Sequence, residues 1–250
     1  MSRPDVKRGI PWAISPKTLS CLSPFHRNFT ELELARTPDL YRRRCEFIGL
    51  IDHAKVLDAG CGVGQWACAL GELNEQVEGV DVESNRLWVA TELARSRMLP
   101  NVGFRWASLE QLPYADGEFD AVFCYSVIMF TRMRVSLREF RRVLRPGGSL
   151  YVMVDLWRWH WDRLRTGHLP KVEFVKMAIK RICRFDRGGL YGRRWYLNQI
   201  ASAGFRVVRD AQEGCVCFWP ETRAPNPELV FFRSQPPGRE QLLEVAALAD

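Results

Sequence analysis

The sequence lacks the features that mark metal centres and membrane spans. Its eight cysteines contain no Cys-x-x-Cys pair, the closest two being Cys215 and Cys217, and this spacing excludes the common zinc sites. No uninterrupted apolar run approaches the roughly 18 residues of a spanning helix, and residues 1–5 contain no apolar signal core. We therefore expect no bound metal, free reduced cysteines and a cytoplasmic protein.

Length and composition favour one domain. At 250 residues, of which 47% are hydrophobic, the chain can bury a full single core, and one α/β domain is a simpler prediction than two. The formal net charge is +7.

The most informative segment is Val56–Trp66. An apolar strand ends there at Asp58 and passes into three alternating glycines, Gly60, Gly62 and Gly64. Glycine lets the backbone approach a ligand closely, and the helix that follows offers unpaired N–H groups to that ligand. The spacing is not the dinucleotide fingerprint Gly-x-Gly-x-x-Gly, because glutamine occupies the position after the third glycine. A carboxylate beside the turn would repel a pyrophosphate and suits a cationic ligand, such as one with an ammonium group.

Three further segments follow this turn in the order found in class I S-adenosylmethionine-dependent methyltransferases. They are Val77–Asp81, an apolar strand ending in an acid; Leu109–Asp120, which contains Leu-Pro; and Arg141–Gly148, which contains Pro-Gly-Gly. Together with the glycine turn, they make the chain resemble this family through about residue 154. The resemblance implies an α/β fold: a doubly wound, Rossmann-like, seven-stranded sheet in the order 3-2-1-4-5-7-6, with the last strand antiparallel and helices on both faces. It also implies S-adenosylmethionine as the cofactor.

The resemblance places this cofactor on particular residues. Asp81 would bind the two ribose hydroxyls, since it ends a strand 17 positions after Gly64, close to the roughly 20 expected in a βαβ unit. At Ser108 the chain departs from the family, which commonly has an acid there to accept a hydrogen bond from adenine, and a hydroxyl accepts that bond more weakly. The predicted cofactor residues are Asp58, Gly60, Cys61, Gly62, Gly64, Trp66, Asp81, Val82, Ser108, Leu109, Glu110, Cys124 and Tyr125.

The acceptor side departs further from the family. Tyr125–Phe130 lacks the Asn-Pro-Pro-aromatic run of enzymes that methylate nucleic-acid amino groups, and Met129 and Phe130 replace the histidine pair of many small-molecule relatives. A general base would therefore come from elsewhere in the chain. We predict His160 and His26 as candidates for this catalytic role, with a structural or solvated histidine as the alternative for each.

Periodicity divides the chain into segments. Residues 1–36 are predicted to form an N-terminal segment that serves as a lid, residues 37–235 the methyltransferase domain and residues 236–250 a tail. Strands are predicted near 55–58, 76–81, 102–106, 119–124 and 149–154, with helices near 64–73, 84–98 and 133–144. A sixth strand is predicted at Ala203–Val208, and for the last strand we favour Leu229–Phe232 over Val216–Trp219. The stretch Glu240–Leu248 has helix-forming composition.

Residues 155–198 form a basic insertion. Eleven Lys and Arg residues oppose four acidic ones, a net charge of +7 that equals that of the whole chain. Three tryptophans, at 157, 159 and 161, precede a basic amphipathic helix with the apolar stripe Val172, Val175, Ile179 and Ile182. We favour a substrate lid packed on the domain, then peripheral membrane contact through residues 157–185. A nucleic-acid surface is favoured least, because no nucleic-acid module is recognisable.

Other basic clusters have simpler explanations. Arg42–Arg44 and the arginines at 138, 141, 142 and 145 lie on predicted helices with an apolar opposite face, so we predict them on solvated helix faces.

These patterns together predict a methyltransferase for a small-molecule or lipid-linked acceptor, such as a glycoconjugate, that carries negative charge. Oxygen is favoured as the methylated atom. The alternatives are an RNA methyltransferase and a non-catalytic protein that binds the cofactor or a partner. We expect a cytoplasmic protein, with a peripheral position at the inner face of the membrane as a variant of that expectation.

Overall fold

The computed structural model describes residues 12–155, 160–161, 164–165, 171–182, 189–213 and 240–247. The chain falls into two compact units. The first comprises Met1–Ser108 with Phe119–Ala121, and the second comprises Leu109–Glu118 with Val122–Asp250.

The first unit alternates helices and strands. Its helices are α1 (Pro16–Leu19), α2 (Pro24–Leu34), α3 (Pro38–Phe47), α4 (Gln65–Gly71) and α5 (Ser84–Ser96), and its strands are β1 (Lys55–Ala59), β2 (Gln76–Asp81) and β3 (Val102–Trp106). Helices α1 to α3 each begin at a proline, whose fixed φ suits the first helical position and whose missing N–H is not needed there. Ser15 and Ser23 cap α1 and α2 by accepting a backbone N–H of the first turn.

The second unit includes Leu109–Glu118 and the later part of β4 (Phe119–Tyr125), whose first three residues belong to the first unit. It continues with a 3₁₀ turn (Ile128–Phe130), α6 (Met133–Val143), β5 (Leu144–Asp155), α7 (Lys171–Ile182), α8 (Arg193–Ser202), β6 (Phe205–Glu213) and β7 (Glu240–Ala247). In α6, apolar residues recur at helical spacing, and Met133, Leu137 and Phe140 are fully buried.

The strands are hydrogen-bonded in the order β3-β2-β1-β4-β5-β7-β6. β1 pairs with β2 and β2 with β3 in parallel, whereas β7 is antiparallel to both β5 and β6. Parallel pairing requires crossover connections, which α4 and α5 supply. The prediction of an α/β, doubly wound, Rossmann-like fold is confirmed.

The last strand is not where the sequence predicted it. It is formed by Glu240–Ala247, within the segment that we predicted as a tail, and it pairs with both β5 and β6. The prediction of Leu229–Phe232 as this strand is therefore wrong, and residues 229–232 themselves lie outside the described residues. Helix-forming composition is a weak prior that pairing with distant strands overrides.

The N-terminal segment packs within the first unit. Trp12, Ile14 and Leu34 contact the buried cluster that includes Cys68 of α4 and Leu93 of α5. This packing anchors residues 12–36 beside the helices that follow the glycine turn. A role of the N-terminal segment as a lid stays a prediction.

Two arginines predicted on solvated helix faces make other contacts. Arg44 is 3% exposed, and its guanidinium lies over the ring of Trp66, 5.0 Å from the centroid. Arg141 Nη1 donates to the carbonyl of Gly204 at 2.5 Å. The prediction of a solvated helix face is wrong for Arg44, which is buried, whereas Arg141 is partly exposed and also makes this tertiary contact.

Arg142 likewise binds within its unit. Its guanidinium donates to the carbonyls of Leu112 (3.0 Å) and Tyr114 (2.7 Å) and to the carboxylates of Glu139 (2.8 Å) and Asp116 (2.8 Å). Lysine cannot reproduce this planar set of donors. We expect Arg142→Lys to lower the free energy of unfolding by about 1 to 3 kcal/mol, measured by urea denaturation.

Arg138→Lys on the exposed side of α6 is the matched control. It should change the free energy of unfolding by less than about 0.5 kcal/mol. An equal loss in the two variants would contradict the role assigned to Arg142.

Candidate cofactor site

Two acidic side chains lie at the carboxyl ends of neighbouring parallel strands. Asp58 is the penultimate residue of β1, and Asp81 is the last residue of β2. The register pairs Asp58 with Gly79 and Ala59 with Val80, so both acids lie at the same edge of the sheet. Ligands of open α/β sheets bind at this edge. The structure thus brings together the two acids that the sequence singled out.

The glycine turn connects β1 to α4 through a left-handed backbone. Gly60, Gly62 and Gly64 have φ angles of 85°, 55° and 83°. The N–H groups of Gly60 and of the next residue donate to the carbonyl of Val80 at 2.8 and 2.9 Å, which ties the turn to β2. A Cβ at Gly64 would lie 2.8 Å from the Cβ of Ala90, so this glycine permits close packing on α5. Among the described residues, a Cβ at Gly62 would meet nothing within 4 Å, so Gly62 faces open space there.

Asp58 carries an unsatisfied buried atom. The residue is 2% exposed, and its Oδ2 has no hydrogen-bond partner in the part of the chain that the structure describes. The pKa of Asp58 is raised to about 8, first by burial and then by the charge of Asp81, against the lowering effect of a hydrogen bond from the Ala67 N–H. An unpaired buried acceptor costs about 1 to 3 kcal/mol. An ammonium group would both donate to this oxygen and favour its ionised form.

Asp81 is 4% exposed and is held in one orientation by the backbone. Its Oδ2 accepts the N–H of Gly62 at 3.0 Å, and its Oδ1 accepts the N–H of Glu83 at 2.9 Å. Arg86 Nη2 lies 3.5 Å from Oδ1. An ionised carboxylate has about four lone-pair sites, so both oxygens can accept further hydrogen bonds. Two adjacent hydroxyls, as on a ribose, match this pair of acceptors.

The other predicted cofactor residues of the first unit differ in exposure. Val82 is 54% exposed and Ser108 is partly exposed, whereas Cys61 and Trp66 are buried. Burial raises the pKa of the Cys61 thiol well above its ordinary value, which makes it a packing residue and not a nucleophile. Trp66 packs edge-on against Tyr41, with ring centroids 4.8 Å apart.

Four predicted cofactor residues belong to the second unit. Leu109 and Cys124 are buried, and Tyr125 stacks on Phe123 with ring centroids 6.0 Å apart. Glu110 accepts the backbone N–H of Arg132 at 2.8 Å and its Nε at 2.6 Å. Because Arg132 directly precedes α6, this carboxylate also stabilises the start of that helix.

The two predicted catalytic histidines belong to different units. His26 lies in the first turn of α2, where its backbone N–H donates to Ser23 Oγ at 3.3 Å and its ring lies edge-on to Phe25. His160 is 7% exposed and precedes Trp161 in the second unit. The tryptophans at 157 and 159 lie outside the described residues. A catalytic role for either histidine stays a prediction.

Sequence analysis missed three residues: Arg86 in the first turn of α5, Trp106 at the end of β3, and Ser126 directly after β4. Arg86 contacts Asp81, and Trp106, at the end of β3, is 63% exposed with its Nε1 donating to the carbonyl of Val82 at 2.8 Å. Ser126, directly after β4, has a φ of 56°, which is unusual for a residue other than glycine. Position near a strand end could have indicated Arg86 and Trp106. Nothing in the sequence around Ser126 indicates its backbone angle.

The first unit therefore fits a ligand with an ammonium group and two adjacent hydroxyls. S-Adenosylmethionine has both, so Asp58 and Asp81 are the residues that could hold its ammonium group and its ribose. Within the described residues, no cluster of His, Cys, Asp and Glu could hold a metal ion. None of the helices in that same part of the chain is long and apolar enough to cross a membrane.

Comparison with known proteins finds similarity to methyltransferases. Residues 57–152 match a family described as "Methyltransferase domain". Over 101 residues the chain is 43% identical to methyltransferase GfsG of Streptomyces halstedii, a match that covers 39% of this chain and 36% of that protein. Over 123 residues it is 30% identical to O-methyltransferase rstn1 of Aspergillus nomiae, which covers 46% of this chain and 53% of that protein. The matches thus span about half or less of these relatives.

A solved structure of geranyl diphosphate methyltransferase in complex with S-adenosylmethionine has a similar fold. The TM-score is 0.61 at 19% sequence identity, and the likeness covers 97% of each chain. At this identity the likeness shows the fold alone.

Proposed function

We propose that the protein is an S-adenosylmethionine-dependent methyltransferase, since residues 57–152 match a family described as a methyltransferase domain. The observation that carries this proposal is the unpaired buried oxygen of Asp58, beside a glycine that faces open space and one strand from Asp81. These groups offer the acceptors and the room that the cofactor requires.

The proposed reaction is an in-line displacement. A lone pair on the acceptor atom forms a bond to the methyl carbon while the carbon–sulfur bond breaks, and its electrons return to sulfur as the sulfonium becomes a thioether. Holding acceptor and methyl carbon in line supplies much of the acceleration. For a hydroxyl acceptor, the proton passes to a base, and His26 and His160 are our candidates for that base.

The proposed acceptor is a small or lipid-linked molecule that carries negative charge, methylated on oxygen. Support for the charge comes from α7 and the start of α8, where Lys171, Lys176, Lys180, Arg193 and Arg194 are all exposed. Support for oxygen comes from the similarity to an O-methyltransferase. A lipid-linked acceptor would be reached from the cytoplasm by peripheral contact of residues 157–185 with the inner face of the membrane. A preference for neutral or cationic acceptors in activity screens would overturn this part of the proposal.

Two alternatives make different predictions. An RNA methyltransferase should bind RNA with an affinity that falls steeply with salt concentration, because binding releases counterions. A non-catalytic relative should bind S-adenosylmethionine without turnover on any acceptor.

The decisive experiment adds one methyl group at the open face of the glycine turn. We expect Gly62→Ala to weaken S-adenosylmethionine binding by at least about tenfold, because its Cβ would occupy the space in which the proposed ligand lies. Calorimetric titration with the cofactor and with its demethylated product measures the effect.

Gly147→Ala is the matched control. Gly147 has a φ of 74° and, like Gly62, has no described residue within 4 Å of a Cβ, but it lies in the second unit near the start of β5. Both variants should lose about 1 kcal/mol of stability from backbone strain. Unchanged cofactor affinity in Gly62→Ala, or an equal loss in Gly147→Ala, would remove the support for the site.

A further inference from the structure

Helix α7 (Lys171–Ile182) exposes its apolar stripe. Val172, Val175, Ile179 and Ile182 are 58%, 53%, 52% and 77% exposed. From the sequence we favoured a substrate lid packed on the domain, and that role stays a prediction; in the structure the stripe is exposed. This is an aliphatic surface of four β-branched side chains on one face of three turns of helix.

The opposite side of α7 anchors the helix to its own unit. Phe174, Met177 and Ala178 are partly buried, and the ring of Phe174 lies 5.6 Å from that of Trp161. Arg181 Nη1 donates to the carbonyl of Leu190 at 2.5 Å. Contacts on the other face therefore hold the exposed stripe outward.

Basic side chains border the stripe. At about 100° per residue, Lys171 projects on one side of it and Lys176 and Lys180 on the other. Glu173, the acid of this helix, accepts from Lys176 Nζ at 2.7 Å. Four basic residues against this one acid give α7 a net charge of +3.

We propose that this face of α7 binds the surface of an anionic lipid bilayer. Interfacial helices combine an aliphatic face with flanking lysines, and the face enters the boundary between headgroups and acyl chains while the lysines contact anionic lipids. Nucleic acid fits less well, because base stacking requires aromatic side chains and the stripe is aliphatic. Binding of this face to a bilayer does not depend on methyl transfer. If the proposed function holds, such binding would bring a lipid-linked acceptor to the enzyme.

The test is sedimentation of the full chain with vesicles of phosphatidylcholine, alone or mixed with phosphatidylglycerol. We expect binding to the mixed vesicles. Val175→Ser with Ile179→Ser should weaken that binding by about tenfold, through loss of buried apolar area. Lys176→Gln with Lys180→Gln should weaken binding to the mixed vesicles by roughly fivefold for each lysine. The same variant should bind phosphatidylcholine vesicles about as the wild type does.

Phe29→Ser with Leu32→Ser is the matched control. These side chains are 51% and 61% exposed on α2, so they offer a similar apolar area elsewhere on the molecule. The control pair should bind mixed vesicles as wild type does, and all variants should keep the wild-type melting temperature and cofactor affinity. A failure of cofactor binding would count against the proposed function alone.

Several results would overturn the inference. They are absence of vesicle binding by the wild type, unchanged binding in both α7 variants, or an equal loss in the α2 pair. Self-association or RNA binding that depends on Val175 and Ile179, without vesicle binding, would assign the face to a second copy or to RNA instead.

Discussion

Replacing Asp81 by Asn should weaken S-adenosylmethionine binding by about a hundredfold, measured by calorimetry. An ionised carboxylate that accepts two ribose hydroxyls contributes about 1.5 to 3 kcal/mol per hydrogen bond, and each 1.4 kcal/mol is tenfold in affinity. The amide keeps the shape of the side chain but has a single acceptor oxygen. It must therefore also give up one of the bonds from Gly62 and Glu83 that orient the carboxylate.

Glu83→Gln is the control for this prediction, because it removes the same charge two residues away. Glu83 precedes α5, its side chain is 46% exposed, and it lies 3.3 Å from Arg86. We expect its cofactor affinity to stay within about twofold of wild type, since surface ion pairs contribute little. Equal losses in both variants would show that net charge, and not the hydrogen bonds of Asp81, determines binding.

Replacing Asp58 by Asn should have opposite effects on stability and on cofactor affinity. In the protein without ligand, burial raises the pKa of Asp58 to about 8, so the native state binds more protons than the unfolded state between about pH 4 and about pH 8. Stability contributed by this group is therefore present at low pH and is lost as pH rises through that window. Asparagine mimics the protonated form, so Asp58→Asn should lose less stability than wild type as pH rises, measured by thermal melting.

Cofactor affinity should change in the other direction. Because the ammonium group of the ligand favours the ionised form of Asp58, wild-type affinity should rise with pH up to about 8, and binding below that pH should release protons into the buffer. In Asp58→Asn, affinity should fall by about tenfold or more at pH 8 and lose its dependence on pH. Asp52→Asn makes the same chemical change at an exposed residue before β1, at the other end of the strand, and should keep wild-type affinity. Proton release by Asp58→Asn equal to that of wild type would rule out this account of the buried carboxyl.

Local patterns predicted much of the fold. β1 to β4 match the predicted strands to within one residue, and α4, α5 and α6 lie within their predicted spans. The acids at 58 and 81 lie at strand ends, where the sequence predicted them, because a strand end and a glycine turn are signalled by neighbouring residues.

Predictions that depended on distant contacts failed. Glu240–Ala247 has helix-forming composition but forms the strand between β5 and β6. We had predicted Leu229–Phe232 as that strand. Arg44, Arg141 and Arg142 were predicted as solvated, yet each contacts a group that is at least 22 positions away in sequence. Amphipathic spacing shows that a helix has an apolar stripe but not which neighbour, if any, covers it, and in α7 the stripe is exposed.

Local sequence patterns are sufficient to predict the alternation of strands and helices, the turn through Gly60, Gly62 and Gly64, and the acids at or next to the ends of the first two strands. These features depend on interactions within a few residues of each other. Contacts between distant segments determine that Asp58 Oδ2 has no hydrogen-bond partner among the described residues, that Gly62 faces open space while Gly64 packs on α5, and that the stripe of α7 is exposed. Burial, pKa and exposure depend on which distant segments meet, because desolvation and packing are properties of the whole surrounding structure.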